Sequence, residues 1–165
     1  MGAHILLIVK KEVNLEIVSY STLYQDAFLT LNLMWLEEMS LLEPYDLQVL
    51  ENPEKMILDK GGEIYFGVIG EEVIATFALT PSGDRIVELN KMAVRKDYQS
   101  MGIGQQLMHF LIQLCKSKGM RQVELYSHSS LQCALHVYKK FGFQEMRLPG
   151  DCVYDLANIR MSLAL

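Results

Sequence analysis

Little in this 165-residue chain provides for a disulfide framework, a metal centre or a membrane span. Its three cysteines, Cys115, Cys133 and Cys152, are an odd number, widely spaced and without a CxxC pair, which excludes a disulfide framework and a cysteine zinc site. Thiols in that pattern act as small apolar side chains in a reducing compartment, so a cytoplasmic location is expected. The four histidines show no ligand spacing, and no metal is expected. The amino-end apolar run, Ile5–Val9, is too short for a membrane span or a secretory signal, and no cationic segment precedes it. It reads as a short extra strand or an extension. Gly2 is followed by Leu6 where a myristoylation signal needs Ser or Thr. A net charge of −5 without a basic stripe gives nucleic acid no counterions to release. No repeat, low-complexity tract or long linker divides the chain, so one domain over 1–165 is expected.

What is present is regular periodicity. "NLEIVSY" (14–20) is rich in β-formers, and Ser21 or Thr22 is placed to cap a helix running to about Met39. Along that helix Leu23, Ala27, Leu31, Met34 and Met39 mark the apolar face. Pro44 and Pro53 break residues 41–58 into two short helical pieces. "EIYFGVIG" (63–70) and "EVIATFALT" (72–80) predict a hairpin, "PSGD" (81–84) a turn, and "RIVELNKMAV" (85–94) a third antiparallel strand. A helix follows over Gly104–Lys118, with Leu107, Phe110, Leu111 and Leu114 on one face and Gly119 as its cap. "RQVELYS" (121–127) is a strand, "SLQCALHVYKKF" (130–141) a helix stopped by Gly142, and "FQEMRL" and "NIRMSLAL" are closing strands. The strands on either side of the 104–118 helix are joined by a crossover and should be parallel, giving a mixed sheet with helices on both faces.

The glycine loop "QSMGIG" (99–104) lies between a strand and a helix start, where unpaired N–H groups favour anions. Leu107 occupies the place of the third glycine of a dinucleotide fingerprint, and no Gly-Lys-Ser/Thr follows, which excludes a P-loop. Taken alone, the loop is either a phosphate cradle or a tight turn whose glycines serve packing.

Its surroundings decide between these readings. "MAVRKDYQSMGIGQQLM" (92–108) resembles the signature segment of the GCN5-related N-acetyltransferase (GNAT) superfamily, with Gln99, Gly102 and Gly104 at the fixed positions of Gln/Arg-x-x-Gly-x-Gly/Ala. "ALHVYKKFGF" (134–143) resembles the second motif at Ala134, Tyr138, Gly142 and Phe143. The resemblance is strongest over 62–146, and the upstream segment looks like single-domain bacterial members. It implies an α/β (α+β) acyl-CoA N-acyltransferase fold: a mostly antiparallel, twisted mixed sheet of about six to seven strands flanked by about four helices.

The resemblance further implies that acetyl-CoA is the co-substrate. Its pyrophosphate would lie on the backbone of Met101, Gly102, Ile103, Gly104 and Gln105, flanked by Gln99 and Ser100, and its pantetheine arm along Met92, Ala93 and Val94. A β-bulge or splay near Met92 would free backbone groups for that arm. Tyr138 matches the family tyrosine that protonates the departing thiolate; its alternative is a helix residue with a surface hydroxyl. Glu88 matches the strand glutamate that deprotonates the amine through water; its alternative is a solvent-facing residue paired with Arg85 or Lys91. A backbone N–H near Met92 would serve the oxyanion. Related sequences often carry Asn where this chain has His128, so His128 or Ser130 would contact the pantetheine, or His128 is a plain loop residue. Trp35, Glu37, Glu38 and Glu43 fall in the region that lines the acceptor site in this family, where acidic groups would select a cation; the alternative is a solvated helix face.

The function expected is acetyl transfer from acetyl-CoA to a primary amine, a small molecule, by direct attack in a ternary complex, since Cys115 and Cys133 fall on helices and offer no covalent relay. The alternatives are an acceptor that is a protein N-terminus or lysine, or a non-catalytic acyl-CoA-binding regulatory module. No nucleic-acid or membrane partner is expected, and the sheet edges can support a homodimer.

Overall fold

The computed structural model describes residues 13–165, so the Ile5–Val9 run lies outside the described residues. Seven strands form one sheet: β1 (Glu16–Ser19), β2 (Glu63–Ile69), β3 (Glu72–Gly83), β4 (Ile86–Val94), β5 (Gln122–Ser127), β6 (Gln144–Met146) and β7 (Ile159–Ala164). Their spatial order is β1-β2-β3-β4-β5-β7-β6. Neighbours are antiparallel apart from β4 and β5, which run parallel as the crossover requires. The helices are α1 (Gln25–Glu38), α2 (Pro44–Glu51), the single turn α3 (Pro53–Met56), α4 (Ile103–Ser117) and α5 (Gln132–Lys140). No helix among the described residues is long and apolar enough to cross a membrane.

Each sheet face carries its own core. On one face α4 and α5 bury Leu107, Met108, Leu111 and Leu135 against Phe77, Leu89, Val123 and Met161. On the other, Phe28 and Leu36 of α1 and Val49 and Leu50 of α2 cover Ile64, Phe66 and Val68. Alternation along β2 feeds both cores at once, with Ile64, Phe66 and Val68 on one face and Tyr65 and Ile69 on the other, which is the reason for helices on both sides.

Two sequence expectations are corrected. The buried face of α1 is Phe28, Leu31, Asn32 and Leu36, whereas Leu23 is 86% exposed and Met34 and Met39 face outward. This segment is apolar on several sides, so more than one helical stripe fits its sequence. Asn32 supports the chosen stripe by donating to the Phe28 carbonyl (3.0 Å) and accepting from the Trp35 indole (3.3 Å). Ser21 does accept from a backbone N–H, that of Leu23 (3.3 Å), but it caps a 3-10 turn over Thr22–Tyr24 that leads into α1. The second correction concerns 81–83, which belong to β3. Pro81 pairs with Val87, a register shift absorbs Ser82, and the turn shrinks to Asp84 and Arg85, the latter with φ +53°. A proline is tolerated there because a bulge asks for no ladder donor.

Gly62, just before β2, sits where a Cβ would meet the Ile57 side chain at 2.7 Å and the carbonyls of Ile57 and Leu79 at 2.9 Å. Gly62→Ala is therefore expected to cost about 1–3 kcal/mol through overpacking against backbone that cannot yield, read as a lowered urea midpoint at unchanged m.

Candidate active site

The site begins where β4 and β5 part. They pair only through Ile86–Gln122, Val87–Val123 and Glu88–Glu124; beyond this β5 stays with β7 through Ser127 while β4 follows β3. The bulge expected near Met92 is present: Ala78 faces Asn90 and Thr76 faces Ala93, so Lys91 and Met92 together oppose Phe77. Lys91 adopts φ +51°, which turns the strand at that point. Past Glu88, the side of β4 facing β5 has no strand partner among the described residues. A cleft opens there, lined by β4 (Glu88 to Met92), β5 (Leu125 to Ser127), Ala134 and Tyr138 of α5, Trp35 of α1 and Tyr154 of the β6–β7 loop.

The glycine loop leads from the same strand. A 3-10 turn over Lys96–Tyr98 is fastened by Arg95, which donates to Asp97 (2.7 Å) and Glu72 (3.2 Å) and lies 4.9 Å over the Tyr98 ring. The Gln99 amide donates to the Val94 carbonyl (3.0 Å), so this side chain braces the loop. Ser100 (φ +62°) and Gly102 (φ +78°) turn the chain into α4, whose Ile103 is anchored in the core. Ser100 and Met101 are exposed, and the Gln105 side chain accepts from Lys140 (2.9 Å). A Cβ at Gly102 or Gly104 would meet nothing within 4 Å. Packing therefore does not demand these glycines; the open space lies over the unpaired N–H groups of the helix start, where an anion would approach. Met92 lines the cleft, and Ala93 and Val94 lead from it through the 3-10 turn into the glycine loop.

Glu88 and Tyr138 both line the cleft. Glu88 is half-buried and accepts from Asn90 Nδ2 (2.7 Å), Tyr154 Oη (3.2 Å) and Thr80 Oγ1 (3.5 Å); among the described residues it forms no ion pair with Arg85 or Lys91. Burial pushes its carboxyl above the ordinary range, and the hydrogen bonds from Asn90 and Tyr154 and the charge of Lys91 pull it partly back. Tyr138 packs against Phe143 (5.8 Å between rings), and its hydroxyl has no hydrogen-bond partner among the described residues. Burial pushes it up to about 12, so it stays protonated at neutral pH and able to donate. The third and fourth expectations separate. His128 lines the cleft, whereas the Ser130 hydroxyl and N–H are both turned onto His128 Nδ1 (2.8 and 3.1 Å). Cys115 is buried in the α4 core, its thiol pushed up to about 11 by burial, and neither it nor Cys133 lines the cleft.

The acidic residues of the acceptor region divide as well. Glu37 and Glu38 are exposed, with Glu38 accepting from Lys96 (3.0 Å). Glu43 is buried and committed: it forms a capping box with Asp46 at the start of α2 and accepts from the backbone N–H of Asp155 (2.6 Å) and Leu156 (3.4 Å). Sequence reasoning missed Asp46, Lys91 and Tyr154. Lys91 and Asp46 form a buried ion pair, and the Lys91 ammonium lies 5.3 Å from the Tyr154 ring. Lys91 lies on the opposite face of β4 from Val87 and Leu89, because the bulge turns the strand there, and no alternation in the sequence announces it.

The model of the acetyltransferase (GNAT) family matches residues 21–143. The chain belongs to that family. An uncharacterized N-acetyltransferase of Bacillus subtilis, YvbK, is 31% identical over 112 residues, 66% of this chain and 72% of the relative. The fold matches a GNAT-family acetyltransferase of Staphylococcus aureus with a TM-score of 0.80 at 23% identity, covering 91% of this chain and 98% of the other. A GNAT-family acetyltransferase of Elizabethkingia anophelis, solved with acetyl-CoA bound, matches with a TM-score of 0.65 at 21% identity over 92% and 99%. Among the described residues this GNAT member has the expected mixed, mostly antiparallel sheet, with seven strands, and five helices counting the single turn α3.

Asp46→Asn would leave the Lys91 ammonium buried without a counter-charge and is expected to cost about 3–5 kcal/mol in urea unfolding. The double change Asp46→Leu with Lys91→Met should recover most of that loss, because it removes both charges together.

Proposed function

We propose that residues 1–165 form one N-acetyltransferase domain that moves the acetyl group of acetyl-CoA to a primary amine by direct attack. The observation that carries this reading is the cleft between the parted β4 and β5, which holds the half-buried carboxylate of Glu88 and the hydroxyl of Tyr138, with the glycine loop following the same strand in the chain. Coenzyme A suits this strand edge and loop. Its pyrophosphate would rest on the N–H groups of Met101 to Gln105, and its amide-bearing arm would pair with the free side of Met92–Val94. The structure of the Elizabethkingia relative with acetyl-CoA bound supports that choice of donor.

An alkylammonium with a pKa near ~10 is no nucleophile until it loses a proton. Glu88 takes that proton through water and passes it to solvent; desolvation makes it a better base than an exposed carboxylate. The Met92 N–H in the bulge faces the acyl oxygen as its charge grows. Tyr138 gives its hydroxyl proton to the departing sulfur and regains one from solvent. A small-molecule acceptor fits a cleft walled by Trp35, Leu36, Tyr154 and Leu156, where Glu43 and Asp46 are already paired.

Thiol release from acetyl-CoA, followed across a panel of amines, amino acids and short peptides, tests the reading: release must depend on the amine. Tyr138→Phe is expected to lower kcat by about 10²-fold with acetyl-CoA affinity by calorimetry unchanged. Tight acetyl-CoA binding with no turnover on any amine would favour a regulatory acyl-CoA-binding module instead. Because burial raises the Glu88 carboxyl, kcat/KM should fall with decreasing pH through a limb lying above the usual carboxylate range, and Glu88→Gln should abolish that limb.

A further inference from the structure

Tyr154 is the one aromatic of the cleft that sits on a long connection, the segment 147–158 between β6 and β7. Its hydroxyl donates to Glu88 Oε2 at 3.2 Å, on the same oxygen that receives Asn90 at 2.7 Å. Its ring is wedged edge-on against Tyr45 of α2 (5.7 Å) and tilted against Tyr126 of β5 (5.7 Å), with the Lys91 ammonium at 5.3 Å. Three elements therefore fix the ring before the hydroxyl is aimed. The connection is itself clasped: Glu43, at the start of α2, accepts the N–H groups of Asp155 and Leu156, the two residues following Tyr154.

Position adds a second argument. A further cavity lies behind the cleft between β3, β4 and α2, bordered by Val49, Thr80 and Ser82. Glu88 and Tyr154 line both cavities, so the hydrogen-bonded pair is part of the wall between them. Without the tyrosine hydroxyl, Glu88 keeps only Asn90 and Thr80, and Thr80 borders the second cavity alone.

We propose that Tyr154 is a positioning residue for acetyl transfer, holding the Glu88 carboxylate toward the reaction cleft and away from the second cavity. The inference rests on the reading of Glu88 as the base. Groups facing Glu88 are Thr80 of β3, Asn90 and Lys91 of β4, Glu124 and Tyr126 of β5, Tyr45 of α2, and Tyr154 itself. Tyr154 and Asn90 donate to its charged form, Lys91 favours that form, and Glu124 opposes it. Loss of the Tyr154 hydroxyl therefore makes Glu88 easier to protonate.

The test is Tyr154→Phe, which keeps the ring and its packing, measured twice. Titration of the Glu88 carboxyl by ¹³C NMR, assigned with Glu88→Gln, should show its midpoint rising by about one unit. The acid limb of kcat/KM should move up by the same amount with KM for acetyl-CoA unchanged, a loss of roughly tenfold at a pH below the limb. Tyr45→Phe, which touches the same ring without bonding Glu88, should move neither. An unmoved midpoint overturns the proposal, and so does a shifted midpoint with an unmoved limb, since Tyr154 would then tune a carboxylate that the reaction does not use. Absence of turnover by the parent chain with every amine overturns the transfer reading and, with it, the role given to Tyr154, whatever the titration shows.

Discussion

Parallel pairing between β4 and β5 lasts for three residue pairs and then stops. Had it continued, the sheet would be closed, the backbone of Asn90 to Val94 would be satisfied on both sides, and no cleft would reach Tyr138. Two features hold the strands apart. The bulge at Lys91–Met92 turns β4 toward β3, and β7 holds β5 on its far side through Ser127. Unsatisfied backbone in a folded interior costs on the order of 1–3 kcal/mol per group, so an open edge of this kind persists only where something polar can take its place. A ligand that offers amides along its length meets that demand.

The bulge has a cost of its own. Turning β4 at Lys91 places an ammonium on a face that is otherwise covered by α1 and α2, and only a buried carboxylate makes that tolerable. Asp46 supplies it from the first turn of α2 while also capping that helix through the Glu43 N–H (3.0 Å). Glu43, in turn, grips the β6–β7 connection. Strand distortion, helix start and connecting loop are thus joined by one set of charges, and the aromatic side chain of Tyr154 completes it.

Much of this was legible in the sequence. Alternation and turn residues gave the strands of 63–94, and the periodicity and terminal glycine gave α4, because one face of each is apolar and the other polar. The stripe of α1 was not legible, since Leu23, Met34 and Met39 are as apolar as Phe28 and Leu36, and the register is selected by tertiary packing, with Tyr24 just before the helix set against Phe66 at 5.3 Å, and by the Asn32 hydrogen bonds. The end of β3 was misread because Pro81 and Gly83 are turn residues by composition, and a bulge accommodates the same two residue types. At the site, Glu88 and Tyr138, singled out by the resemblance, both line the cleft, whereas Asp46 and Tyr154 lie 45 residues before and 63 residues after the lysine they surround. Spacing that long carries no local signal; it exists only once the sheet has formed.

The position of β7 bears on how such a chain reaches its fold. β7 lies between β5 and β6, although it follows both in the chain, and β6 has no other strand beside it among the described residues. During synthesis the preceding strands can pair in order as they emerge, but the far side of β5 and the whole of β6 must wait as bare edges until residues 159–164 arrive. Such long-range insertion is slow relative to hairpin formation. β7 adds its hold on β5 to the turn that the bulge gives β4, so the last described strand to enter the sheet completes the opening of the cleft.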